Sequence, residues 1–359
     1  MASEVDRKQA TAADAADPAD TPTRRRPLVI AGVLYVLATF LAVVLGGAIF
    51  LSRDIVFLWL MGGLLILSLN NPGRWVRGMV IDWLPFIIFL FAYDYARSLA
   101  DETGFTPHLA PQLKVETWLF GTPIPTVDWQ ARFYTPGHLQ WYDYSAWIVY
   151  ITHFFGTLGL AAILWRFAYP LFKKWRTLVI GLSTAGFVTY VLYPAVPPWL
   201  AYKTGKLGEV HKVKDEIFNE TGTKGITSLV EKNWVDKVAA MPSLHSAFPF
   251  MMMLLFWHKG WKWRIPFGLY ALAMALTLVY GGEHFWVDVF AGWAYALIVY
   301  GLASLWWRRR DRRAAEKAAA EEGARDGGPP APPPAPRGDE RPAPAVSYTA
   351  GPDAPPGSG

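Results

Sequence analysis

The chain has 359 residues, of which 53% are hydrophobic and 18% are charged, and its formal net charge is +5. Long apolar runs, each near the ~20 residues that cross a bilayer as a helix, argue against soluble domains and indicate a multi-spanning membrane protein. The sequence contains no cysteine, which excludes disulfides, a thiol nucleophile and thiolate metal sites. Because the basic residues cluster at helix ends, as membrane topology predicts, the positive charge does not indicate a nucleic-acid partner.

The N-terminal residues 1–27 are rich in Ala, Asp and Thr and end in three arginines, which is typical of a disordered cytoplasmic tail. An apolar run, 28–51, follows this tail. A secretory signal peptide is the alternative interpretation of this order, but the run is too long for a signal core and has no evident cleavage site. We therefore interpret 28–51 as a membrane span.

Apolar runs along the whole chain predict an all-α integral membrane fold with about eight transmembrane helices. The predicted spans are 28–51, 55–70, 78–99, 144–168, 177–197, 243–258, 264–281 and 284–307. With these spans, five basic clusters fall on one side of the membrane. These clusters are Arg24–Arg26; Arg74 and Arg77; Arg166, Lys173, Lys174 and Arg176; Lys259, Lys262 and Arg264; and Arg308–Arg310 with Arg312 and Arg313. The positive-inside rule makes that side cytoplasmic and places both termini inside.

Two long connections, 100–143 and 198–242, are then predicted on the outer side. The first is rich in Trp, Phe and Pro, and we expect it to lie along the membrane interface, where aromatic rings are favoured. The second carries seven lysines and is compatible both with a solvated loop and with a lid over an outer pocket. After the last span, 308–359 begins with basic residues and continues as a Pro- and Ala-rich segment, so we expect a second disordered cytoplasmic tail.

Two stretches, MPSLHSAFPF at 241–250 and YGGEHFWVDVFAG at 280–292, each place one histidine at the outer edge of a predicted span. His245 lies one turn into the sixth span, and His284 opens the eighth. Asp288 follows His284 by four residues, so the two side chains project from the same face of a helix and can touch. A carboxylate beside an imidazole orients the ring and stabilises the imidazolium, as a nucleophilic or general-base histidine requires.

The first stretch also offers an anion site. Pro242 suits the first position of a helix, and Ser243 with the free backbone N–H groups there would cradle an anion, assisted by the helix dipole. His245 is placed to give a proton to a leaving oxygen. We assign Ser243 and Gly282 to substrate binding, and the combination suits phosphoryl transfer without a metal. The alternatives are a structural role for the histidines and a metal site formed by two His and one Asp.

The motifs PSLHS and GGEHFWVDVFAG resemble the second and third signature motifs of the type 2 phosphatidic acid phosphatase superfamily, which are membrane phosphoesterases with a six-helix core. The resemblance implies a six-helix catalytic membrane domain at 78–307, preceded by two extra transmembrane helices in 28–71. It also implies that His284 attacks phosphorus and becomes phosphohistidine, that Asp288 supports it, and that His245 protonates the leaving group.

The chain departs from the phosphatase pattern in its cations. The first motif, a Lys followed seven residues on by Arg-Pro, is absent, and Thr277 and Leu278 stand where a Ser-Arg pair normally precedes the histidine. The stretch LYPAVPPWLAY at 192–202, together with GEHFWVDV, is more similar to the inositol phosphotransferase branch typified by fungal inositol phosphorylceramide synthase. Enzymes of that branch move a phosphorylated head group from a donor lipid to an acceptor hydroxyl.

Cations are nevertheless expected around a phosphoryl transition state, because it carries negative charge. Arg97, at the outer end of the third span with Asp94 one turn before it, is the first candidate for substrate binding, and a plain Asp–Arg pair is the alternative. Lys203 is the second candidate. His153, in the fourth span, is compatible both with lining the cavity and with a core position.

Two function classes remain open at this point. The first is a membrane enzyme that transfers a phosphate-bearing group of a lipid at the outer face; with water as acceptor it would be a lipid phosphate phosphatase. The second is a non-catalytic transporter. The clustering of polar residues at the outer helix ends and the lack of an evident inverted repeat argue against a transporter.

Abundant Ala, paired Arg and the Pro–Ala tail are typical of a high-GC bacterium. We therefore expect a multi-pass plasma-membrane protein with an extracytoplasmic active site and with both termini cytoplasmic. Its expected partners are the bilayer and a lipid phosphate or phospholipid substrate, without a cofactor, a metal or nucleic acid. The donor lipid, the acceptor and the oligomeric state stay open.

Overall fold

The computed structural model describes residues 30–35, 37–38, 41, 53–67, 72–100, 105–220 and 238–325. Across these ranges the regular secondary structure is helical, and two isolated β-bridges join connecting segments. The helices are α1 (Arg53–Leu67), α2 (Pro72–Gly78), α3 (Leu84–Ala100), α4 (Ala110–Phe120), α5 (Pro125–Phe133), α6 (Trp141–Phe167), α7 (Tyr169–Leu192), α8 (Pro198–Lys203), α9 (Val213–Glu220), α10 (Leu244–Leu255), α11 (Trp261–Tyr280) and α12 (Trp286–Arg325). A π-helical turn, Met79–Trp83, links α2 to α3, and a 3₁₀ turn, Trp257–Lys259, follows α10.

The chain divides into two compact units, residues 1–303 and residues 304–359. The first unit holds both histidine motifs and nearly all of the described helices. In the second unit, the described residues 304–325 are helical. The Pro- and Ala-rich part of the predicted C-terminal tail, like the tail predicted at 1–27, lies outside the described residues.

Three helical segments among the described residues are long and apolar enough to cross a membrane, namely Tyr169–Leu192, Trp261–Tyr280 and Trp286–Glu322. The two halves of α6, Trp141–His153 and Gly156–Phe167, form a fourth if the 49° bend between them lies within one crossing. The prediction of an all-α membrane protein is therefore confirmed at the level of its fold class. The count of eight spans and the six-helix core stay predictions.

The predicted span 243–258 is shorter in the structure than in the sequence pattern. It folds as α10, whose 12 residues rise about 18 Å, well under the ~30 Å of a hydrocarbon core. The helix ends in the 3₁₀ turn and at Gly260, whose φ of 97° lies in the left-handed region that favours glycine. The chain then turns directly into α11, and the basic residues Lys259 and Lys262 mark this turn in the sequence.

The two long connections contain helices and are tied together. The N–H of His108, before α4, donates to the Pro194 carbonyl at 2.8 Å, and the N–H of Val196 donates back to His108 at 2.9 Å. The N–H of Ala240, just before α10, donates to Ala195 at 3.2 Å. These bonds join both connections to the segment that leaves α7. The first connection is therefore a packed part of the fold, and its position along the membrane interface stays a prediction.

The described part of the second connection, 198–220, is also packed. Val213 and Ile217 of α9 are buried against Tyr134, which follows α5. The Tyr134 hydroxyl donates to Glu216 of the same helix. Of the two forms left open by the sequence, a fully solvated loop does not describe these residues. Residues 221–237 of the connection lie outside the described part of the chain.

A buried carboxylate joins the π-helical turn to α6 and α7. Asp82 is 5% exposed and accepts hydrogen bonds from Trp165 Nε1 and Tyr169 OH, each at 3.1 Å. Arg176 completes the set, with its Nη1 at 3.1 Å from the same carboxylate. A buried charge is tolerated when it is paired and hydrogen-bonded, as it is here. The network fixes α6 and α7 at the end of the bundle that carries the basic residues of these helices.

The helix α12 approaches the start of α10 at a glycine. A Cβ atom on Gly292 would lie 2.3 Å from the Ser243 carbonyl oxygen and 3.0 Å from Ser246 Oγ. No side chain other than hydrogen fits this gap without a backbone shift. The short distance lets the two motif-bearing helices contact each other through their main chains.

We predict that Gly292→Ala destabilises the protein by on the order of 2 kcal/mol, because the added methyl overlaps a backbone oxygen that cannot rotate away. Gly301→Ala, in the same helix, is the matched control, since a Cβ there meets nothing within 4 Å. The melting temperatures of both purified variants in one detergent test this. Equal melting temperatures for the two variants would show that α10 and α12 do not pack this closely.

Candidate active site

His284 lies in the turn between α11 and α12. The turn depends on Gly282, whose φ of 73° is in the left-handed region, and whose carbonyl accepts a hydrogen bond from the Trp199 N–H at 3.1 Å. A Cβ on Gly282 would lie 2.6 Å from the carbonyl oxygen of His211. Gly282 therefore shapes the turn that presents His284, and its predicted contact with substrate stays a prediction.

Asp288 lies in the first turn of α12 and is fully buried. Its Oδ2 is 3.6 Å from Nδ1 of His284 and accepts a hydrogen bond from the Phe285 N–H at 2.9 Å. Its Oδ1 accepts from Gln112 Nε2 at 3.3 Å. The spacing of four residues thus brings the imidazole and the carboxylate together, and further donors hold the carboxylate in place. With Nδ1 facing Asp288, the other ring nitrogen of His284 is the one directed away from the carboxylate.

His245, in the first turn of α10, stands beside His284 with their ring centroids 5.8 Å apart. Two aromatic side chains of α6 border it on other sides. The Tyr150 ring stacks on His245 at 5.6 Å with an interplanar angle of 19°, and the His153 ring lies 4.3 Å away. The structure therefore joins the two predicted histidines in one site. The sequence left open whether His153 lines the cavity or occupies a core position, and the structure places its ring beside His245.

Ser243 is fully buried and serves as the N-cap of α10. Its Oγ accepts a hydrogen bond from the Ser246 N–H at 3.4 Å, and its own N–H donates to the Asp288 carbonyl at 2.9 Å. The Ser243 hydroxyl and the N–H groups of Ser243 and Ser246, which belong to the predicted anion cradle, thus have partners within the protein. Direct substrate binding by Ser243 stays a prediction, and the observed contacts give it a role in joining the two motifs.

The structure describes the side chain of only one of the two predicted substrate-binding cations. Arg97 lies in α3, but its side chain is outside the described part of the chain. Lys203 is exposed, with Nζ 5.0 Å from the centroid of the Trp199 ring. Lys212 lies against the same ring at 3.9 Å. Lys203 is therefore held at the surface by Trp199, and its predicted substrate contact stays a prediction.

Lys214, in the first turn of α9, reaches further into the site. Its Nζ is 3.3 Å from Glu283 Oε1 and donates to the Tyr150 hydroxyl at 3.0 Å. Burial raises the pKa of the Glu283 carboxyl, but Lys214, Lys212 and His284 outweigh this effect and leave the pKa below its ordinary value. The residue that precedes His284 is thus an anion held by lysines.

Helix α4 contributes two buried polar side chains on one face, Gln112 and Glu116. Glu116 is 1% exposed and accepts a hydrogen bond from the Val287 N–H at 3.2 Å, so it caps the start of α12. Burial raises the pKa of the Glu116 carboxyl to about 7; the Val287 and Trp286 N–H groups oppose this shift, and the charge of Asp288 adds to it. Glu116 therefore changes charge near neutral pH beside the Asp288 carboxylate.

Gln130 of α5 ties three segments together. Its Nε2 donates to the carbonyls of Tyr280 and His211, at 2.6 and 2.9 Å, and its Oε1 accepts from the His211 N–H at 2.8 Å. The side chain is 3% exposed. This clamp holds the end of α11 against the segment between α8 and α9, beside the turn that carries His284.

Sequence reasoning did not find these supporting residues. Gln112 and Glu116 are four residues apart, which puts both on one helix face, but the connection around them was interpreted as an interfacial strip. Polar residues at helical spacing in an aromatic-rich segment were the available signal. For Lys214 and Gln130 no local signal exists, because their contacts depend on how distant segments pack.

Both histidine motifs lie in a region that matches a known protein family. A family model described as PAP2 superfamily matches residues 115–302, just over half of the chain. A phosphoinositol dihydroceramide synthase of Bacteroides thetaiotaomicron is 26% identical over 247 residues, covering 65% of this chain and 79% of that protein. An inositol phosphorylceramide synthase of Candida albicans is 25% identical over 233 residues, covering 60% of this chain and 46% of that protein. No solved structure matches the chain significantly.

The buried carboxyl of Glu116 predicts a pH-dependent stability. Its pKa is raised in the folded protein, so folding favours the protonated form; stability from this group is complete below its ordinary pKa of 4.5 and is lost as pH rises to about 7. We expect Glu116→Gln, which keeps an oxygen for the Val287 N–H, to abolish this part of the pH dependence. Melting temperatures in detergent between pH 5 and 8 measure it. Parallel curves for wild type and variant would contradict the assignment.

Proposed function

Since the chain belongs to the PAP2 superfamily, we propose that it is a membrane phosphotransferase that moves a phosphate-bearing head group through a phosphohistidine at His284. The observation that carries the proposal is the pairing of His284 with the buried Asp288, 3.6 Å away, and with His245 across the site. This arrangement combines a nucleophile, a carboxylate that orients it and a second imidazole for proton transfer.

The first step that we propose is attack of the His284 Nε2 atom on phosphorus. A P–N bond forms while the P–O bond to the leaving group breaks, and the departing oxygen takes a proton from His245. Asp288 faces the opposite ring nitrogen, so it holds the tautomer with a free Nε2 and stabilises the positive ring that forms.

In the second step the acceptor completes the exchange. His245, now neutral, removes the proton of an acceptor hydroxyl whose oxygen attacks phosphorus, and the P–N bond breaks to release His284. With a lipid hydroxyl as acceptor the product is a new phosphodiester, and with water the enzyme is a phosphatase. The low exposure of His284, 6%, supports transfer over hydrolysis, because the intermediate is shielded from bulk water.

The names of the similar proteins supply the substrate class. Both are synthases of inositol-phosphate-bearing sphingolipids, one a phosphoinositol dihydroceramide synthase and one an inositol phosphorylceramide synthase. We therefore propose an inositol phospholipid as donor and a ceramide-type hydroxyl as acceptor.

We also propose the membrane arrangement that the sequence predicts. Eight spans, with both termini cytoplasmic, put the two histidines at the extracytoplasmic face of the plasma membrane. Residues 78–307 then form a six-helix catalytic domain that follows two additional N-terminal helices. Membership of an enzyme superfamily favours this proposal over a transporter without catalysis.

We predict that His284→Ala lowers transferase activity by ~10³-fold or more, because the variant has no nucleophile. Asp288→Asn should cost ~10²-fold or more, since it no longer favours the required tautomer. His258→Ala, an exposed histidine in the turn Trp257–Lys259, is the matched control and should leave activity unchanged.

The assay uses purified protein, phosphatidylinositol labelled in its head group and a ceramide acceptor. Wild type should form a labelled protein adduct at His284 and a new labelled phosphodiester, while His284→Ala should form neither. Release of labelled inositol phosphate without a new lipid would favour hydrolysis over transfer. Wild-type activity in His284→Ala would remove the phosphohistidine mechanism altogether.

A further inference from the structure

Phosphoryl transfer at this site needs positive charge that the superfamily arginines do not supply. A phosphoryl group in transfer carries negative charge on its equatorial oxygens, and cations stabilise it. Thr277 and Leu278 occupy the positions of the missing Ser-Arg pair. Two lysines of the second long connection, Lys212 and Lys214, instead act electrostatically on the turn that holds Glu283 and His284.

Lys214 contacts a neighbour of each histidine. Its ammonium lies 3.3 Å from Glu283, which directly precedes His284. The same ammonium is 3.0 Å from the Tyr150 hydroxyl, and the Tyr150 ring stacks on His245. The Lys214 side chain is only 11% exposed, so its charge acts with little screening by water. Lys203, in contrast, is exposed to solvent and lies over the Trp199 ring.

A small cavity opens at this pair. Its lining includes Lys214, Glu283, Tyr150, Trp147 and Asp143. A purely structural ion pair would be expected to close over its own charges, because unfilled space beside buried ions leaves their desolvation poorly compensated. Here the ammonium and the carboxylate both line open space, and Glu283 directly precedes His284 in the chain.

Charges of both signs surround the ion pair of Lys214 and Glu283 before any substrate binds. Among the described residues, Lys212 acts on Glu283, Asp143 lines the same cavity, and Asp288 lies 3.6 Å from His284. A phosphodiester carries one negative charge, whereas a phosphomonoester carries nearly two above its second pKa of about 6. A lysine that already faces a carboxylate accepts the first charge more readily than the second, and Glu283 is the carboxylate paired with Lys214.

We propose that Lys214 binds the phosphoryl oxygens of a monoanionic phosphodiester donor, and that Glu283 is a specificity residue that disfavours dianionic phosphomonoesters. This inference rests on the proposed function, because it assigns the donor class of the same site. Glu283 also positions the Lys214 ammonium toward the cavity. The superfamily pattern, with one lysine and two motifs that carry an arginine, suits a dianionic phosphate. This chain lacks that pattern, so its site favours a monoanionic phosphate.

The test compares two probes at pH 8, dioctanoyl phosphatidylinositol as the diester and dioctanoyl phosphatidic acid as the monoester. Glu283→Gln should raise the monoester-to-diester ratio of kcat/KM by ~10-fold or more, because it removes one repelling charge. A structural role for Glu283 would lower both values together and leave the ratio unchanged. An unchanged ratio therefore overturns the specificity assignment.

The lysine is tested with a charge-conserving variant beside a neutral one. Lys214→Met should lower kcat/KM for the diester by ~10²-fold, and Lys214→Arg should restore most of it. Lys206→Met, an exposed lysine in the same connection, should match wild type. Equal activity of Lys214→Met and wild type would overturn phosphate binding by Lys214.

A lone buried charge destabilises a protein, so either single variant risks misfolding. The double variant Lys214→Met/Glu283→Gln removes both charges and should fold with a melting temperature near that of wild type. It should still show the ~100-fold loss on the diester. Wild-type activity in the folded double variant would overturn the inference.

His284→Ala, assayed in parallel, separates this inference from the proposed function. Loss of activity in His284→Ala with no change in the Glu283→Gln ratio overturns the charge preference alone. Retained activity in His284→Ala overturns the proposed mechanism first, and the donor-class assignment with it.

Discussion

One backbone hydrogen bond, from the Ser243 N–H to the Asp288 carbonyl at 2.9 Å, joins α10 and α12, the helices of the two histidine motifs. It forms because Gly292 lets α12 approach the Ser243 carbonyl to a distance that no side chain would allow. Since both partners are main-chain atoms, the bond fixes α10 against α12 whatever side chains surround it. The separation of His245 and His284, on which any shared chemistry depends, follows from this contact.

The connecting segments have a structural part in the site that their position in the sequence conceals. Gln112 and Glu116 reach from α4 to the start of α12, and Gln130 reaches from α5 to the end of α11. Burying such groups costs free energy unless they are hydrogen-bonded, so each side chain selects the one packing arrangement that satisfies it. The turn that carries His284 is thereby held on both sides by helices that do not cross the membrane.

Local sequence patterns predicted the contacts within one segment of the chain. They could not predict contacts that depend on how distant segments pack. His284 lies in the turn just before α12 and Asp288 in the first turn of that helix, so their contact is local in the sequence and could be predicted without the fold. The meeting of His245 and His284 followed from placing both at the same end of their helices. Lys214 could not be found in this way, because its contacts with Tyr150 and Glu283 join residues that are 64 and 69 positions away in the sequence. The end of α10 was placed too late, because the apolar Phe256 and Trp257 extend the hydrophobic pattern into the turn that follows the helix.

The choice between transfer and hydrolysis is a problem of access rather than of recognition. Water is smaller than any lipid acceptor, so a pocket that admits an acceptor hydroxyl cannot reject water by size. The remaining means is to keep the intermediate away from bulk solvent until the acceptor arrives. His284 and Asp288 lie under α4 and beside the segment after α7, and both are almost completely buried. In the proposed mechanism, the packing that orients His284 therefore also shields it from bulk water, which favours transfer over hydrolysis.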